Sequence, residues 1–174
     1  MLSSLWGCGP EQSAYDRDQQ QVLAQQAFFK AQIMPYIGSY YGLATSTAGL
    51  SYQVELNIGP NSTQAINSGT YQATNVSLLK GQWSVCKGSE CFGPNKIDGN
   101  DVTDSEITSS SINTQLGEVT LVTTPLSTNC TTSNAQACAP ATVVFHWNAN
   151  DHTQIIGTFN SSAETNTTFV LTKE

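Results

Sequence analysis

The chain has 174 residues, 39% of them hydrophobic and only 11% charged, and thirteen acidic residues against six basic ones leave a formal net charge of −7. That length suits one domain with a sizeable core, and the acidic balance, with no basic stripe carrying interleaved aromatics, argues against nucleic acid as a partner. No run approaches the roughly 18 apolar residues that a membrane-spanning helix needs.

Low charge here does not mean disorder, which couples high net charge to few aromatics. Ser, Thr, Asn and Gln take the place of charge, as on the solvent face of a β-rich exported protein. Five cysteines allow at most two internal pairs. Cys8 stands alone near the start, whereas Cys86 with Cys91 and Cys130 with Cys138 form two close couples.

Cys8 closes the tetrad Leu5-Trp6-Gly7-Cys8. This tetrad resembles the lipobox of bacterial lipoproteins, where a Leu three before the cysteine and a Gly or Ala directly before it mark the cleavage point. Trp6 departs from the smaller residue usual at that place. The resemblance implies that Cys8 becomes the acylated first residue of the mature chain, with the stretch before it the tail of a longer signal peptide. Residues 1–10 are then a residual signal and tether, and 11–174 a single domain. It also implies export to a bacterial cell envelope and anchoring in the outer membrane through the lipid at Cys8. The plain alternative is an unstructured N-terminus with an incidental free thiol.

Residues 11–34 predict one helix, opened by Pro10 and Glu11 and ended by Pro35 with Gly38. Tyr15, Val22, Phe29 and Ile33 fall near one face, with Leu23 and Met34 beside it. We expect this stripe to pack on the domain. A helix lying on a membrane surface would carry several basic residues on its polar face, and this one has only Arg17 and Lys30.

From Tyr36 onward the hydrophobic period changes to two. Tyr52, Val54, Leu56 and Ile58 alternate with Ser51, Gln53, Glu55 and Asn57, as in a half-buried strand. The stretch 36–45 places Ile37, Tyr41 and Leu43 on one face, with Gly38 and Gly42 on the other. Further strands are expected at 70–79, 82–86, 105–113, 117–124, 141–148, 153–160 and 166–173. Turn-rich segments separate them, and no strand–helix alternation occurs, so the sheet is expected to be antiparallel. The fold class is therefore mainly β: an N-terminal helix, then an eight- or nine-stranded meander over 36–173 closing as a small barrel or a two-layer sandwich, with the helix over an open end or edge. A helix followed by a meander starting near Gly38-Ser39-Tyr40-Tyr41-Gly42 is similar in outline to a lipocalin-type barrel, although the Gly-x-Trp signature of lipocalins is absent. In such a barrel Tyr41, Tyr52, Phe145 and Phe159 are candidates to line a small apolar ligand. The same residues serve equally to fill a core.

The two cysteine couples enclose four and seven residues. In an exported chain they read as local disulfides, Cys86–Cys91 and Cys130–Cys138; a four-thiolate zinc site is the alternative, for which the spacings are a poor match. His146, Asp151 and His152 surround an expected hairpin turn, and two imidazoles with a carboxylate can hold zinc or form part of a catalytic set. Since His146 falls between Phe145 and Trp147, we read it as outward and the group as an exposed turn. Asp98, Asn100, Asp101, Asp104 and Glu106 form an acidic loop rich in the hard oxygens calcium prefers, but in an order unlike an EF-hand. Asn-x-Ser/Thr triplets begin at Asn61, Asn75, Asn129, Asn160 and Asn166; a chain so rich in these residues produces several by chance. No nucleophile elbow, His-Glu-x-x-His or phosphate loop is present, and nothing asks for a cofactor. The resulting expectation is a non-catalytic binding or structural module of the cell envelope, with a small apolar ligand or an envelope protein as its partner. A lipocalin-like carrier is the alternative, and an enzyme using His146 and Asp151 is the third reading.

Overall fold

The structure is a computed structural model that describes residues 14–61, 77–86, 91–92, 102–113, 115–126, 140–161 and 165–174. The chain divides between Pro35 and Tyr36 into two compact units. In the first, α1 (Ala14–Phe28) carries Asp16 in its first turn, where a carboxylate meets the positive end of the helix dipole. Pro35 has no N–H to donate, and its ring collides with the carbonyl four residues back, so a regular helix cannot run through it. The chain changes first to a π-turn over Phe29–Ile33 and then to a 3-10 turn over Met34–Tyr36. Ile33 is buried, but Tyr15, Val22, Leu23 and Met34 are exposed. Those four therefore do not form the packing stripe expected of them. No helix among the described residues is long and apolar enough to cross a membrane.

The second unit is a closed barrel of eight antiparallel strands: β1 (Gly38–Thr45), β2 (Ser51–Pro60), β3 (Leu79–Cys86), β4 (Val102–Asn113), β5 (Glu118–Pro125), β6 (Ala141–Asn148), β7 (Asp151–Asn160) and β8 (Thr167–Lys173). Each strand pairs with the next, and β8 returns to β1 from Tyr40↔Lys173 to Thr45↔Thr168. The barrel reading thus holds and the sandwich does not. Of the strand expected at 70–79, Ser77 and Leu78 precede β3 as irregular chain and only Leu79 is in a strand; the segment 70–76 lies outside the described residues.

Alternation decides which side chains enter the barrel. Val54, Leu56 and Ile58 of β2, Val119 and Leu121 of β5, Val143 and Phe145 of β6, and Phe169 and Leu171 of β8 are all buried, as their patterns require. Strand β1 reverses the expectation. Tyr40 and Ala44 are buried while Tyr41 and Leu43 are exposed. The reason lies in Gly42, which pairs with Val54 on one side and Leu171 on the other. Any Cβ there would run into the carbonyl oxygen of Val170, so the neighbouring strand closes over this position and β1 turns its glycine phase inward. In β4 a bulge between Ile107 and Ser109 shifts the register. Ile107 and Ile112 lie five apart, and strict alternation would place them on opposite faces. The bulge lets Ile107 pair with Thr123 and Ile112 with Val119, both inward positions.

The tight connections are built by side chains that take the place of main-chain partners. Asn113 Oδ1 accepts from the N–H groups of Gln115 and Leu116 at 3.1 and 3.3 Å, and Asn148 Oδ1 accepts from the Asn150 N–H at 3.0 Å. Between β1 and β2, Ser46 Oγ accepts from the Leu50 N–H at 3.1 Å.

Gly81 shows how closely the strands approach. It adopts φ +150°, which only glycine tolerates well, and a Cβ would collide with the carbonyl oxygen of Asn57 on β2. Gly59, by contrast, has nothing nearer than 3.9 Å to such a Cβ. Gly81→Ala is therefore expected to destabilise the protein by about 2 kcal/mol or more, against roughly 0.5 kcal/mol or less for Gly59→Ala. Urea unfolding of both variants, compared at equal m-value, measures the difference.

Candidate functional site

The two ends of the barrel are built from different side chains. One end gathers the start of β1, the turns after β4 and β6, and the end of β8. Here Tyr36 stacks on Trp147 with ring centroids 5.6 Å apart and meets Phe145 edge-on at 6.0 Å, while Tyr40 lies 6.2 Å from Trp147. The Tyr40 hydroxyl donates to the Tyr36 carbonyl, and the Tyr36 hydroxyl donates to the Gly117 carbonyl, each at 3.0 Å. Lys173 brings its Nζ to 5.6 Å from the Tyr40 ring centroid and 5.8 Å from that of Trp147. Each such cation–π contact is worth about 0.5–2 kcal/mol according to its exposure. Burial pushes both tyrosine hydroxyls above their usual pKa, and for Tyr40 the neighbouring Tyr36 adds to the effect. This aromatic end is a plug: both tyrosine hydroxyls are hydrogen-bonded and the rings pack on one another.

The middle of the barrel is filled in the same manner. Trp83 contacts Phe159 at 5.5 Å and Phe169 at 5.4 Å between centroids. An eight-stranded barrel is just wide enough for side chains of this size to fill it.

The opposite end holds the Cys86–Cys91 disulfide, and its inward layer is of another kind. Ala44, Ser105, Thr123, Ala141 and Thr167 occupy inward positions at or near the strand ends, all buried, and share that end with the larger inward side chains of Tyr52 and Val85 and with Phe159, which reaches into the centre against Trp83. Thr123 Oγ1 donates to the Ala141 carbonyl at 3.3 Å. Thr167 Oγ1 is fully buried and has no hydrogen-bond partner among the described residues. An unsatisfied buried hydroxyl costs about 1–3 kcal/mol, so this position is either a defect of the fold or a place for a partner atom. On β2, Gln53 Oε1 accepts from the N–H groups of Cys91 and Phe92 at 2.6 and 3.3 Å, holding the disulfide segment to that strand.

The residues singled out in the sequence are distributed as follows. Phe145 belongs to the aromatic plug and Phe159 to the disulfide end, both buried. Tyr52 pairs with Ala44 on the inward phase and is half-buried. Tyr41 is corrected: it is 40% exposed on the outer wall, because Gly42 sets the inward phase of β1. His146 and His152 are exposed and outward, and Asp151 accepts from the hydroxyl and N–H of Thr153 at 2.6 and 2.9 Å. Among the described residues no three His, Cys, Asp or Glu side chains gather as a metal site. Asp104 accepts from Ser84 Oγ at 2.6 Å, and Glu106 is exposed. Asn61 donates through Nδ2 to the Ser77 carbonyl at 3.1 Å, and Asn160 Oδ1 accepts from the Asn166 N–H at 2.7 Å. Cys8, Cys130, Cys138, Asp98, Asn100, Asp101, Asn75 and Asn129 lie outside the described residues. On the outer wall, Ser39, Asn57, Lys80 and Glu106 border a shallow groove of about 440 Å³ floored by Gly38, Gly59 and Gly81.

Sequence reasoning missed Thr167, Thr123 and Ser105. Thr167 was legible in one respect, since it stands in phase with Phe169 and Leu171 in Thr167-Thr168-Phe169-Val170-Leu171. Thr123 stands likewise in phase with Val119 and Leu121, and Ser105 with Ile107, but hydroxyl residues in strands usually mark the solvent face and this phase was not weighed.

The Thr153 hydrogen bonds, the hydroxyl first and the N–H second, hold the Asp151 carboxyl below the usual carboxylate range. A folded-state pKa below the unfolded one means a small stabilisation that is present above the unfolded pKa of about 3.9 and lost as pH falls through the folded value. Thr153→Val is expected to raise the Asp151 pKa, as read by carboxyl chemical shifts over an acid titration. His146→Ala and His152→Ala, both at exposed positions, are expected to change stability by less than about 0.5 kcal/mol each.

No protein-family model matches the chain, and no curated protein matches it. Among solved structures it is similar to a redesigned β-barrel, mFAP1, bound to DFHBI, at 10% identity and a TM-score of 0.47 over 82% of this chain and 98% of that one.

Proposed function

We propose that this protein is a non-catalytic binding module that holds a small, largely apolar molecule within the disulfide end of its barrel, and that Cys8 tethers it to a bacterial envelope membrane. The observation that carries the binding reading is the fully buried Thr167 hydroxyl, without a hydrogen-bond partner among the described residues, at an end where small inward residues (Ala44, Ser105, Thr123, Ala141) stand beside the aromatic side chains of Tyr52 and Phe159. The plugged aromatic end favours access from the disulfide end. The tethering reading is supported by the lipobox-like Leu5-Trp6-Gly7-Cys8 and by the odd number of cysteines.

Filling the layer tests the first part. Ala141→Leu and Ala44→Val are expected to lower the affinity of an apolar fluorescent dye by about tenfold or more, which corresponds to about 1.4 kcal/mol, with the circular dichroism spectrum unchanged. Undiminished dye binding by both folded variants would overturn the reading.

Expression from the native gene tests the second. Wild-type protein is expected to fractionate with membranes and to be released by detergent. Cys8→Ser is expected to be soluble or unprocessed, because two or three acyl chains at about 0.8 kcal/mol per buried methylene provide the attachment. Equal membrane association of mutant and wild type would count against tethering at Cys8.

A further inference from the structure

Independently of anything held inside the barrel, we infer that the outer wall over β6, β7, β8 and β1 is a self-association surface, on which a second copy of this chain docks face to face as a weak two-fold dimer.

The charged side chains of the described strands are not spread evenly around the barrel. Glu55, Asp104, Glu106 and Glu118 stand at outward positions on β2, β4 and β5, next to residues of the buried phase. Over the other half of the circle, residues 39–45 of β1, 168–172 of β8, 154–160 of β7 and 142–146 of β6 hold no Asp, Glu, Lys or Arg at all. These four strands are successive neighbours in the closed wall. Across the middle of this half one outward row is apolar: Leu43 pairs with Val170, and Val170 with Ile156. Leu43 is 58% and Val170 45% exposed, and Tyr41, one outward position along β1, is exposed beside them. The rows to either side are neutral and polar, Thr172 with Gln154 and Thr168 with Thr158.

An apolar centre within an uncharged polar rim is the anatomy of a protein–protein contact, where charge is depleted at the core and Tyr is favoured. Net charge selects the occupant. At −7, two copies repel one another over their acidic surfaces, whereas a basic partner is drawn to the carboxylates of β2, β4 and β5. The neutral half suits a surface as neutral as itself. On a two-fold axis near Val170 the patch meets its own copy, apolar row on apolar row. Four strands about 4.8 Å apart, each contributing five residues of about 3.3 Å, give a footprint of roughly 320 Å² per copy. A stable interface takes about 800 Å² per partner, so this contact belongs to the weak class, with a dissociation constant of about 10 µM to 1 mM.

Sedimentation velocity of the full chain at about 5 to 500 µM, in about 50 and 500 mM NaCl, tests the inference. The wild type is expected to pass from monomer to dimer as concentration rises. It is expected to do so at roughly three- to tenfold lower concentration in the higher salt, which screens the mutual repulsion. Val170→Glu, Val170→Lys and Leu43→Glu, all at exposed positions and with the circular dichroism spectrum unchanged, are expected to weaken association by about tenfold or more. An equimolar mixture of the two Val170 variants is expected to recover it at low salt, because opposite charges then meet across the axis. Glu106→Gln, on the charged half, is expected to leave association unchanged or slightly stronger. A monomer under every condition, a dimer that any of the three neutral-face variants retains in full, or no recovery in the mixture would overturn the inference. So would association that weakens as salt rises or that Glu106→Gln abolishes, since either places the contact on the charged half. None of these readouts depends on what the barrel interior binds.

Discussion

The pairing of β8 with β1 is the interaction on which the rest of this structure depends. An open eight-stranded meander would leave two rows of unpaired N–H and C=O groups, an invitation to pair with other chains. Closure from Tyr40↔Lys173 to Thr45↔Thr168 satisfies both rows within one molecule. It also joins residues about as far apart in sequence as the barrel allows, so its loop-closure entropy must be met by contacts elsewhere. Gly42 makes the closure possible, because it lets the β8 backbone pass where a side chain would stand. Once the circle is complete every strand has one dry face and one wet face, and the interior can be read from register alone.

Within that closed wall the chain spends its large side chains unevenly. Tyr36, Tyr40, Phe145 and Trp147 seal one end, with Lys173 laid across two of the rings, and Trp83, Phe159 and Phe169 fill the centre. Small and hydroxyl-bearing residues take the other end, where the buried Thr167 hydroxyl lacks a partner among the described residues. The outer wall fits this division of labour. It is rich in Ser, Thr, Asn and Gln, exposes His146 and His152 singly, and among the described residues collects no metal-binding group.

A good deal of the fold was legible in the sequence. The period-two runs of Tyr52–Ile58, Ala141–Asn148 and Thr167–Lys173 located their strands and, for the most part, their inward faces, because alternation is a local property and a half-buried strand must show it. Pro35 marked the end of the helical segment for an equally local reason. The acidic balance, the five cysteines and the absence of a catalytic motif needed no coordinates either.

Other features depended on partners distant in the chain. Which face of β1 turned inward was decided by Gly42 against Val170, 128 positions later, so Tyr41 was placed on the wrong side by a reading that weighed only hydrophobicity. The inward placing of both Ile107 and Ile112 needed the β4 bulge, which appears only when β5 is laid alongside. Barrel and sandwich share the same strand pattern, and only the β1–β8 hydrogen bonds separate them. The candidate site was the least legible of all. Ala44, Ser105, Thr123, Ala141 and Thr167 are ordinary residues, scattered over five strands, and become one layer only when the barrel closes. The sequence by itself determined the elements and the chemistry of their surfaces, since these follow from each residue and its near neighbours. Tertiary structure alone decided which small side chains share a space, because that is a property of the closed circle and of no single strand.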